Sequence, residues 1–388
     1  MSNTHQPQHY ILLIILVLLL SGPPLAQAAT DCTVVNQIPQ TECEALIDFY
    51  KKTDGRHWKD NTGWNVSNTP CYWKGIECHG SDKTAEERNI KTLALPDNQL
   101  KGTLPDSLEN LSSLWVLSLG NNQLSGPLPE WIGSLWQLRK LWLYNNQLSG
   151  PLPESLSKVT RLVSIILDDN QLSGSLPDMG NYDRLQFLYL SNNQLSGAIP
   201  DSLGNVETLQ FIYLSNNQLS GSIPASLGNL NLLQRLILSD NQFSGPIPEF
   251  IGHLTDLEIL ALSNNQFQGG IPDFLENLTH LQQLTLGGNQ LIGPIPTFLG
   301  NLNQLKLLHL SNNQLSGVIP ASLGNMRYLI VDNNELCGEL PISLMDMGDF
   351  GVLKLDNNHL TTTNLKLIGW LSRKNPTWET TQIPCSES

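Results

Sequence analysis

The sequence predicts an α/β repeat solenoid: a horseshoe of about twelve 24-residue repeats, with a parallel β-sheet on its concave face and a disulfide-bonded cap at each end. Three observations lead to this prediction. The segment LKLLHLSNNQLSGVIP at residues 305–320 recurs, with small changes, from residue 90 to residue 360. One asparagine of this segment returns at a nearly constant interval, and the cysteines lie before the first copy or near the end of the chain. Self-similarity at a fixed period outranks any local assignment of helix or strand.

Each copy predicts one strand, one tight turn and one return segment. In the copy just quoted, Leu308 and Leu310 are two residues apart, which places both on one face of a strand. Asn313 turns the chain, and its amide, once buried, can both donate to and accept from the backbone of adjacent turns. Gly317 and Pro320 suit a bend that needs first a free φ and then a fixed one.

The register of the repeats follows from the turn asparagine. Its steps are 24 residues long, except for one of 23 residues after position 170 and one of 21 after position 313. The turn asparagines are Asn98, Asn122, Asn146, Asn170, Asn193, Asn217, Asn241, Asn265, Asn289, Asn313, Asn334 and Asn358.

This pattern, LxxLxLxxN with a period of roughly 20–29 residues, is the signature of the leucine-rich repeat. The LxGxIP half resembles the plant-type subclass, which occurs in the ectodomains of plant receptor kinases and in polygalacturonase-inhibiting proteins. The pattern covers about 270 of the 388 residues, and we assign the repeats to residues 89–361. The resemblance implies that one strand of every repeat lines a concave surface.

Residues 1–28 have the features of a secretory signal peptide. Residues 11–20 form an apolar run and Ala26-Gln27-Ala28 fits an A-x-A cleavage site, although the first ten residues contain no Lys or Arg. Ten apolar residues are too few for the roughly 20 of a membrane-spanning helix, so we expect cleavage rather than an uncleaved anchor, and no membrane span in the mature chain. The predicted location is extracellular or, in a bacterium, periplasmic or at the cell surface.

Residues 29–88 are predicted to cap the apolar end of the first repeat, which has no preceding neighbour. The segment EALIDFYK places apolar side chains on one face of a short helix, and two tryptophans add apolar cover. These side chains belong to Leu46, Phe49, Tyr50, Trp58 and Trp64. The segment ECEALIDFYKKTDGRHWKDNTGW resembles the caps of secreted bacterial leucine-rich repeat proteins more than those of plant leucine-rich repeat proteins.

Cysteines behind a leader peptide predict disulfides formed in an oxidising compartment. The four cysteines of the first cap, Cys32, Cys43, Cys71 and Cys78, allow three pairings, among which sequence alone does not choose. The segment CYWKGIEC resembles the C-x-W-x-G-V-x-C element of plant-type caps. That resemblance implies a Cys71–Cys78 bond, which leaves Cys32 with Cys43.

Residues 362–388 are predicted to cap the last repeat. Cys337 and Cys385 remain as the pair that ties this tail to the solenoid. The tail also predicts an apolar helix containing Leu365, Leu367, Ile368, Trp370 and Leu371. We interpret it as a cap rather than as a partner-binding helix.

The sequence contains no nucleophile elbow, phosphate-binding loop, HExxH motif or kinase motif set, so we expect no enzyme and no cofactor. His57 and His79 are not spaced as zinc ligands, so no metal is expected. Asp168 and Asp169 suit a solvated turn. The net charge of -14 and the lack of a basic run argue against a nucleic-acid partner.

The candidate site lies among strand residues that the repeat does not constrain. The position between the two inward leucines carries Trp142, Ile166, Tyr189, Tyr213 and Ile237 in consecutive repeats. Strands lie about 4.8 Å apart, so these residues predict a ladder roughly 20 Å long. The residues predicted to bind a partner are Trp142, Tyr144, Phe187, Tyr189, Phe211 and Tyr213, with Lys140 and Arg235 at the two ends.

Two interpretations of these aromatic residues are open. Aromatic and β-branched residues suit strand surfaces and stabilise each other across strands. A contiguous exposed aromatic patch, however, marks a binding surface, and strand propensity alone would not confine the aromatics to repeats three to six.

We therefore expect a secreted, non-catalytic recognition protein that binds a protein or peptide on its concave face. The resemblance implies one alternative, an inhibitor of a secreted glycanase. The recurring SNNQLSG turns suggest another, a surface or matrix protein that binds glycan or ice.

Overall fold

A computed structural model of the chain describes residues 29–80, 88–348 and 350–385. The predicted signal peptide, residues 1–28, lies outside these ranges. The described chain forms a repeat solenoid in which two long sheets run side by side along the stack, so the predicted fold class is confirmed. No helix in the described ranges is long and apolar enough to cross a membrane.

The concave sheet takes one parallel strand from every repeat, and a strand of the N-terminal cap pairs antiparallel with the first of them. The inward leucines of these strands, such as Leu117 and Leu119, are fully buried. In spatial order the strands are β1 (Ile76–Cys78), β2 (Ile90–Ala94), β4 (Val116–Ser118), β6 (Lys140–Trp142), β8 (Ser164–Ile166), β10 (Phe187–Tyr189), β12 (Phe211–Tyr213), β14 (Arg235–Ile237), β16 (Ile259–Ala261), β18 (Gln283–Thr285), β20 (Leu307–His309), β22 (Tyr328–Ile330) and β24 (Val352–Lys354).

A second sheet is built from the QLSG segment after each turn, where the sequence predicts only a return segment. Each strand pairs in parallel with its neighbours over two or three residues. The glycine that ends most of these strands has a positive φ, as Gly317 does (76°). The strands are β3 (Lys101–Gly102), β5 (Gln123–Gly126), β7 (Gln147–Pro151), β9 (Gln171–Gly174), β11 (Gln194–Gly197), β13 (Gln218–Gly221), β15 (Gln242–Pro246), β17 (Gln266–Gly269), β19 (Gln290–Pro294), β21 (Gln314–Gly317), β23 (Glu335–Glu339) and β25 (His359–Thr361).

The helical segments of the described repeats are short 3-10 helices, not α-helices. Each begins after the proline of the IP or LP pair, whose φ lies between -81° and -60°. This proline is the residue just before the helix, where the backbone is still extended (ψ 135–153°), and its ring pre-sets the φ. These helices are Asp106–Asn110, Glu130–Ser134, Glu154–Lys158, Asp201–Asn205, Ala225–Asn229, Glu249–His253, Asp273–Asn277, Thr297–Asn301, Ala321–Asn325 and Ile342–Met347.

The turn asparagines form a hydrogen-bonded ladder beside the leucine core. Asn241 is buried, and its Nδ2 donates to the carbonyl oxygens of Leu238 in its own repeat (3.1 Å) and Leu214 in the preceding repeat (2.9 Å). Its Oδ1 accepts from the backbone amide of Leu219 (3.0 Å). One side chain thereby satisfies backbone groups of two turns that water does not reach.

The N-terminal cap covers the first repeat with helix α1 (Gln40–Lys52) and an aromatic cluster. Trp64 lies 5.0 Å from both Trp58 and Trp73, measured between ring centroids. All of the predicted cap side chains are buried, and the cap carries disulfides Cys32–Cys43 and Cys71–Cys78.

The N-terminal cap also completes the asparagine ladder. The backbone amide of Asp60 donates to Oδ1 of Asn98 (2.7 Å), and Nδ2 of Asn98 donates to the carbonyl of Asp60 (2.9 Å). The cap loop therefore replaces the missing preceding repeat in hydrogen bonding as well as in packing.

The C-terminal cap contains helix α2 (Leu365–Lys374) and the disulfide Cys337–Cys385. Asn375, just after the helix, is buried, and its Oδ1 accepts from the backbone amide of Leu355 (2.7 Å). Gln382 takes the role of a turn asparagine in the next repeat: its Oε1 accepts from the amide of Leu360 (2.8 Å), and its Nε2 donates to the carbonyl of Leu355 (3.1 Å). The predicted helix is present, but Leu365 points outward because it begins the helix, whereas Leu367 and Trp370 are buried.

We predict that Asn241→Ala destabilises the protein by at least about 2 kcal/mol, because it leaves buried backbone groups without partners. The midpoint of thermal unfolding, followed by circular dichroism, should fall by about 3 °C or more. Gln242→Ala is the control, because that neighbouring side chain is exposed, and it should change stability by less than about 0.5 kcal/mol. Similar losses in both variants would contradict a specific role for the ladder.

A second prediction concerns pH. Glu42 in α1 is buried, its Oε2 accepts from the amide of Ile90 (2.7 Å), and burial raises the pKa of this carboxyl to about 7. Between its ordinary pKa and this value the folded state holds a proton that the unfolded state has released, so stability should fall as pH rises from about 4.5 to 7. In Glu42→Gln the unfolding midpoint should vary less with pH over this window, whereas the exposed Glu44→Gln should keep the wild-type profile.

Candidate functional site

The concave sheet places the predicted ladder residues side by side on consecutive strands. Trp142 lies opposite Ile166, which lies opposite Tyr189. Tyr213 lies opposite Tyr189 on one side and Ile237 on the other. All five are partly exposed, because each lies between two buried inward residues. The register in the structure is the one that the repeat spacing predicts.

Four of the predicted aromatic residues form one ring cluster, which we call the aromatic cluster: Phe187, Tyr189, Phe211 and Tyr213. The rings of Tyr189 and Tyr213 are 4.5 Å apart, and those of Phe187 and Phe211 are 5.3 Å apart. Phe187 also meets Tyr189 edge-on at 6.4 Å. Burial raises the pKa of Tyr189 above its ordinary value, with the neighbouring Tyr213 adding to the shift. The four rings form a continuous apolar surface over two strands.

Arg235 lies against the aromatic cluster rather than apart from it. Its guanidinium carbon is 4.9 Å from the centroid of the Phe211 ring, and Nη1 donates to the hydroxyl of Tyr213 (3.1 Å). This hydrogen bond raises the pKa of the guanidinium above its ordinary value. A cation on a ring face is held by the ring quadrupole, so the charge has a fixed position at this end of the ladder.

Trp142 and Lys140 form a separate pair at the other end of the ladder. Nζ of Lys140 lies 4.7 Å from the Trp142 ring, and the indole Nε1 donates to Oγ of Ser164 on the next strand (2.9 Å). The sequence did not identify Ser164 as part of the site. A small polar residue beside a tryptophan is the signal that could have found it.

Tyr144 lies at the edge of the site. Its ring packs over Gly120 so closely that a Cβ at that glycine would stand 2.4 Å from the ring. Gly120 therefore makes room for the aromatic residue of the next repeat.

Asp168 differs from its prediction as a solvated turn residue. Its Oδ1 accepts from the backbone amide of Ser191 (2.7 Å), and burial raises the pKa of the carboxyl to about 6. The adjoining Asp169 is exposed and has a positive φ (55°). Only one member of the pair is a solvated turn residue.

The described residues contain no group of three or more His, Cys, Asp or Glu side chains that could hold a metal ion. The pockets along the described solenoid are shallow surface hollows, such as one of about 530 Å³ lined by Ile271, Ile292 and Phe298. The concave face presents apolar rings, tyrosine hydroxyls and two cations, Lys140 and Arg235, each stacked on an aromatic ring. These groups can bind a ligand through apolar contacts, hydrogen bonds and charge.

A double-mutant cycle tests how much the aromatic cluster stabilises the sheet. Phe187→Ala and Phe211→Ala should show a coupling free energy of about 0.5–1.5 kcal/mol, because each removes the other's ring contact. The same cycle between Phe187→Ala and Tyr328→Ala, six strands away, should show almost none. Thermal unfolding gives the free energies, and equal coupling in both cycles would contradict a local ring interaction.

The sequence matches models of a known protein family. Models of the leucine-rich repeat match residues 88–148, 280–302 and 304–326, and a model of the leucine-rich repeat region matches residues 166–287. Curated protein sequences give no match.

Among solved structures, one similar to this chain is the ectodomain of the Arabidopsis receptor kinase HAESA in complex with an N-terminally extended IDA peptide hormone. The two sequences are 34% identical, and the structures superpose with a TM-score of 0.71. The match covers 82% of this chain and 54% of the HAESA chain. A second similar structure is the ectodomain of GASSHO1/SCHENGEN3 from Arabidopsis thaliana in complex with CASPARIAN STRIP INTEGRITY FACTOR 2. It is 30% identical to this chain, with a TM-score of 0.70, and the match covers 82% of this chain and 44% of that one.

A plant ice-binding protein is 26% identical with a TM-score of 0.57 over 79% of this chain and 90% of that chain. The chain thus spans about half the length of the receptor ectodomains and most of the length of the ice-binding protein. With matching family models, the two-sheet repeat and the plant-type LxGxIP segments, the chain belongs to the leucine-rich repeat proteins of the plant type.

Proposed function

We propose that this is a secreted, non-catalytic recognition protein that binds an extended peptide or a protein segment across repeats three to six of its concave face. The aromatic cluster is the observation that carries the proposal. Its rings are apolar, partly exposed and confined to two adjacent strands, where a ligand could cover several of them at once. Tyr and Trp are favoured anchors in interfaces because they combine a large apolar surface with a polar group.

The dimensions suit a short extended segment. Lys140 and Arg235 lie on strands four positions apart in the sheet, which is about 19 Å. An extended chain of about six residues covers this length. The HAESA ectodomain was solved with a bound peptide hormone, which supports a peptide as the ligand class.

Secretion is supported by the apolar leader and by the three disulfides, which persist in oxidising compartments. The glycanase-inhibitor alternative stays a prediction. It shares the concave-face site and differs in the partner, which would be a secreted enzyme that loses activity on mixing.

Ice or glycan binding is the second candidate, favoured by a different surface and by the similarity to the plant ice-binding protein. Along one flank, several of the residues that precede a turn asparagine are hydrogen-bonded to each other across neighbouring repeats. Asn216 donates to Asn192 (2.8 Å), and Asn192 donates to Asp169 (2.7 Å). This flank is periodic, and its residues are not part of the aromatic cluster.

The experiment that tests the proposal is a pull-down from the native secretome with the mature protein, taken from Ala29. It is compared with the variant Trp142→Ala/Tyr189→Ala/Tyr213→Ala. The control variant, Thr285→Ala/His309→Ala/Ile330→Ala, changes the same strand position in three later repeats. All three proteins must unfold at matching temperatures before their captured partners are compared.

We expect a partner that the wild type and the control variant capture and the ladder variant loses. Equal capture by all three would move the site off the aromatic ladder and sink the proposal. No capture by any protein, together with thermal hysteresis in freezing solutions of the wild type, would replace it with the ice-binding alternative.

A further inference from the structure

Four residues at the N-terminal end of the concave face form what we call the basic cluster: Lys91, Trp115, Arg139 and Lys140. The guanidinium carbon of Arg139 lies 3.7 Å from the centroid of the Trp115 ring, and Nζ of Lys91 lies 5.4 Å from the same centroid. Lys140 follows Arg139 in the chain and stacks on Trp142, so the basic cluster adjoins the aromatic ladder. Both Arg139 and Lys140 are exposed.

The central tryptophan is held in place from two further directions. Its indole Nε1 donates to Oε1 of Gln137 (3.2 Å). The ring of His79 meets it edge-on at 4.8 Å, and Nε2 of His79 is itself 3.0 Å from the carbonyl oxygen of Ser113. Because Trp115 is fixed, the cations lying on it are fixed as well. The basic cluster is therefore organised before any ligand arrives.

These cations have no carboxylate partner within the described part of the chain, where the ion pairs are His57–Asp54 and Lys74–Asp60. The carboxylate of Glu77, on the neighbouring strand β1, accepts instead from the hydroxyl of Thr92 (3.0 Å). Lys91 of the first repeat and Arg139 and Lys140 of the third bring three cations to this end of the concave face, which is unexpected in a chain whose net charge is -14. Exposed charges act over about 8 Å at physiological salt, so distant carboxylates do not cancel them.

We propose that the basic cluster is an anion-binding subsite that takes the carboxylates of an acidic peptide segment. The inference rests on the proposed function, because it describes one part of the same peptide ligand. The ligand would carry an acidic portion over repeats one to three and an apolar portion over repeats three to six. Charge complementarity indicates the acidic portion, and the aromatic cluster, which lies beyond the intervening strand β8, indicates the apolar portion. A polyuronate would also supply carboxylates, but its hydroxylated rings offer Phe187 and Phe211 less apolar surface than apolar side chains do, and the ring of Trp115 is already stacked with the cations of the protein.

The test uses fluorescein-labelled hexaglutamate as the probe, with fluorescence anisotropy as the readout at low salt. The site variant is Arg139→Gln/Lys140→Gln. The matched control is Lys306→Gln/Arg327→Gln, which removes two cations that precede concave strands in later repeats, one of them also stacked on an aromatic ring (Arg327 on Tyr328, 5.5 Å). Arg139→Lys/Lys140→Arg keeps the charge and reports whether a loss comes from charge or from damage to the fold.

We expect hexaglutamate to bind the wild type, the control and the charge-keeping variant, and to bind the site variant at least tenfold more weakly. Binding to the wild type should also weaken in 0.5 M sodium chloride. Equal affinity for all four proteins, or no binding to the wild type, would overturn the proposal. Displacement of hexaglutamate by hexagalacturonate at a lower concentration than by unlabelled hexaglutamate would overturn the peptide as occupant and assign the subsite to a polyuronate.

The probe needs no native partner, so this result is independent of the pull-down. A failed capture with tight, site-dependent hexaglutamate binding would leave the anion subsite standing without the proposed function. A captured partner whose binding is insensitive to Arg139→Gln/Lys140→Gln would leave the function standing without this subsite.

Discussion

The hydrogen bonds of the turn asparagines are the constraint on which the rest of the solenoid depends. A turn that faces the leucine core would bury backbone amides and carbonyls without partners, and each such group costs about 1–3 kcal/mol. Asn241 and its equivalents satisfy them across two repeats at once. Since every ladder residue needs a neighbouring turn, both ends of the stack would be incomplete. The caps close them with Asp60 at one end and Gln382 at the other.

This constraint also explains which positions remain free for function. Leucines, turn asparagines and the prolines before the 3-10 helices are fixed by the core and the backbone, so their identity carries no information about a ligand. Except for β2, each concave strand of a repeat is only three residues long, and its central residue is inward. The variable surface is thus a narrow band on which the aromatic cluster and the basic cluster are neighbours.

The sequence predicts the parts that follow from one-dimensional spacing. The period gives strand register, and register places Tyr189 opposite Tyr213. It does not predict the second sheet, because QLSG pairs over only two or three residues and relies on the stack to bring them together. It also assigns the turn itself to the second asparagine of SNNQ, such as Asn313, whereas the left-handed turn residue is the first, Asn312 (φ 56°). The first, as in Asn216 (φ 53°), has a left-handed backbone that few other residues adopt easily, whereas the second is the buried ladder residue.

The contacts within the candidate site depend on side-chain rotamers, which the sequence does not predict. Lys140 and Arg235 were expected at the ends of the ladder, but the sequence could not show that each lies on a ring, since that depends on rotamers and on the next strand. Trp115 comes just before its strand, so the periodicity of the strand positions, which predicts the ladder, does not include it. Rings and cations held by one another lose little freedom on binding, so less of the interaction energy goes into ordering them. A surface built in this way can bind an extended ligand with few contacts, because its own side chains are already in place.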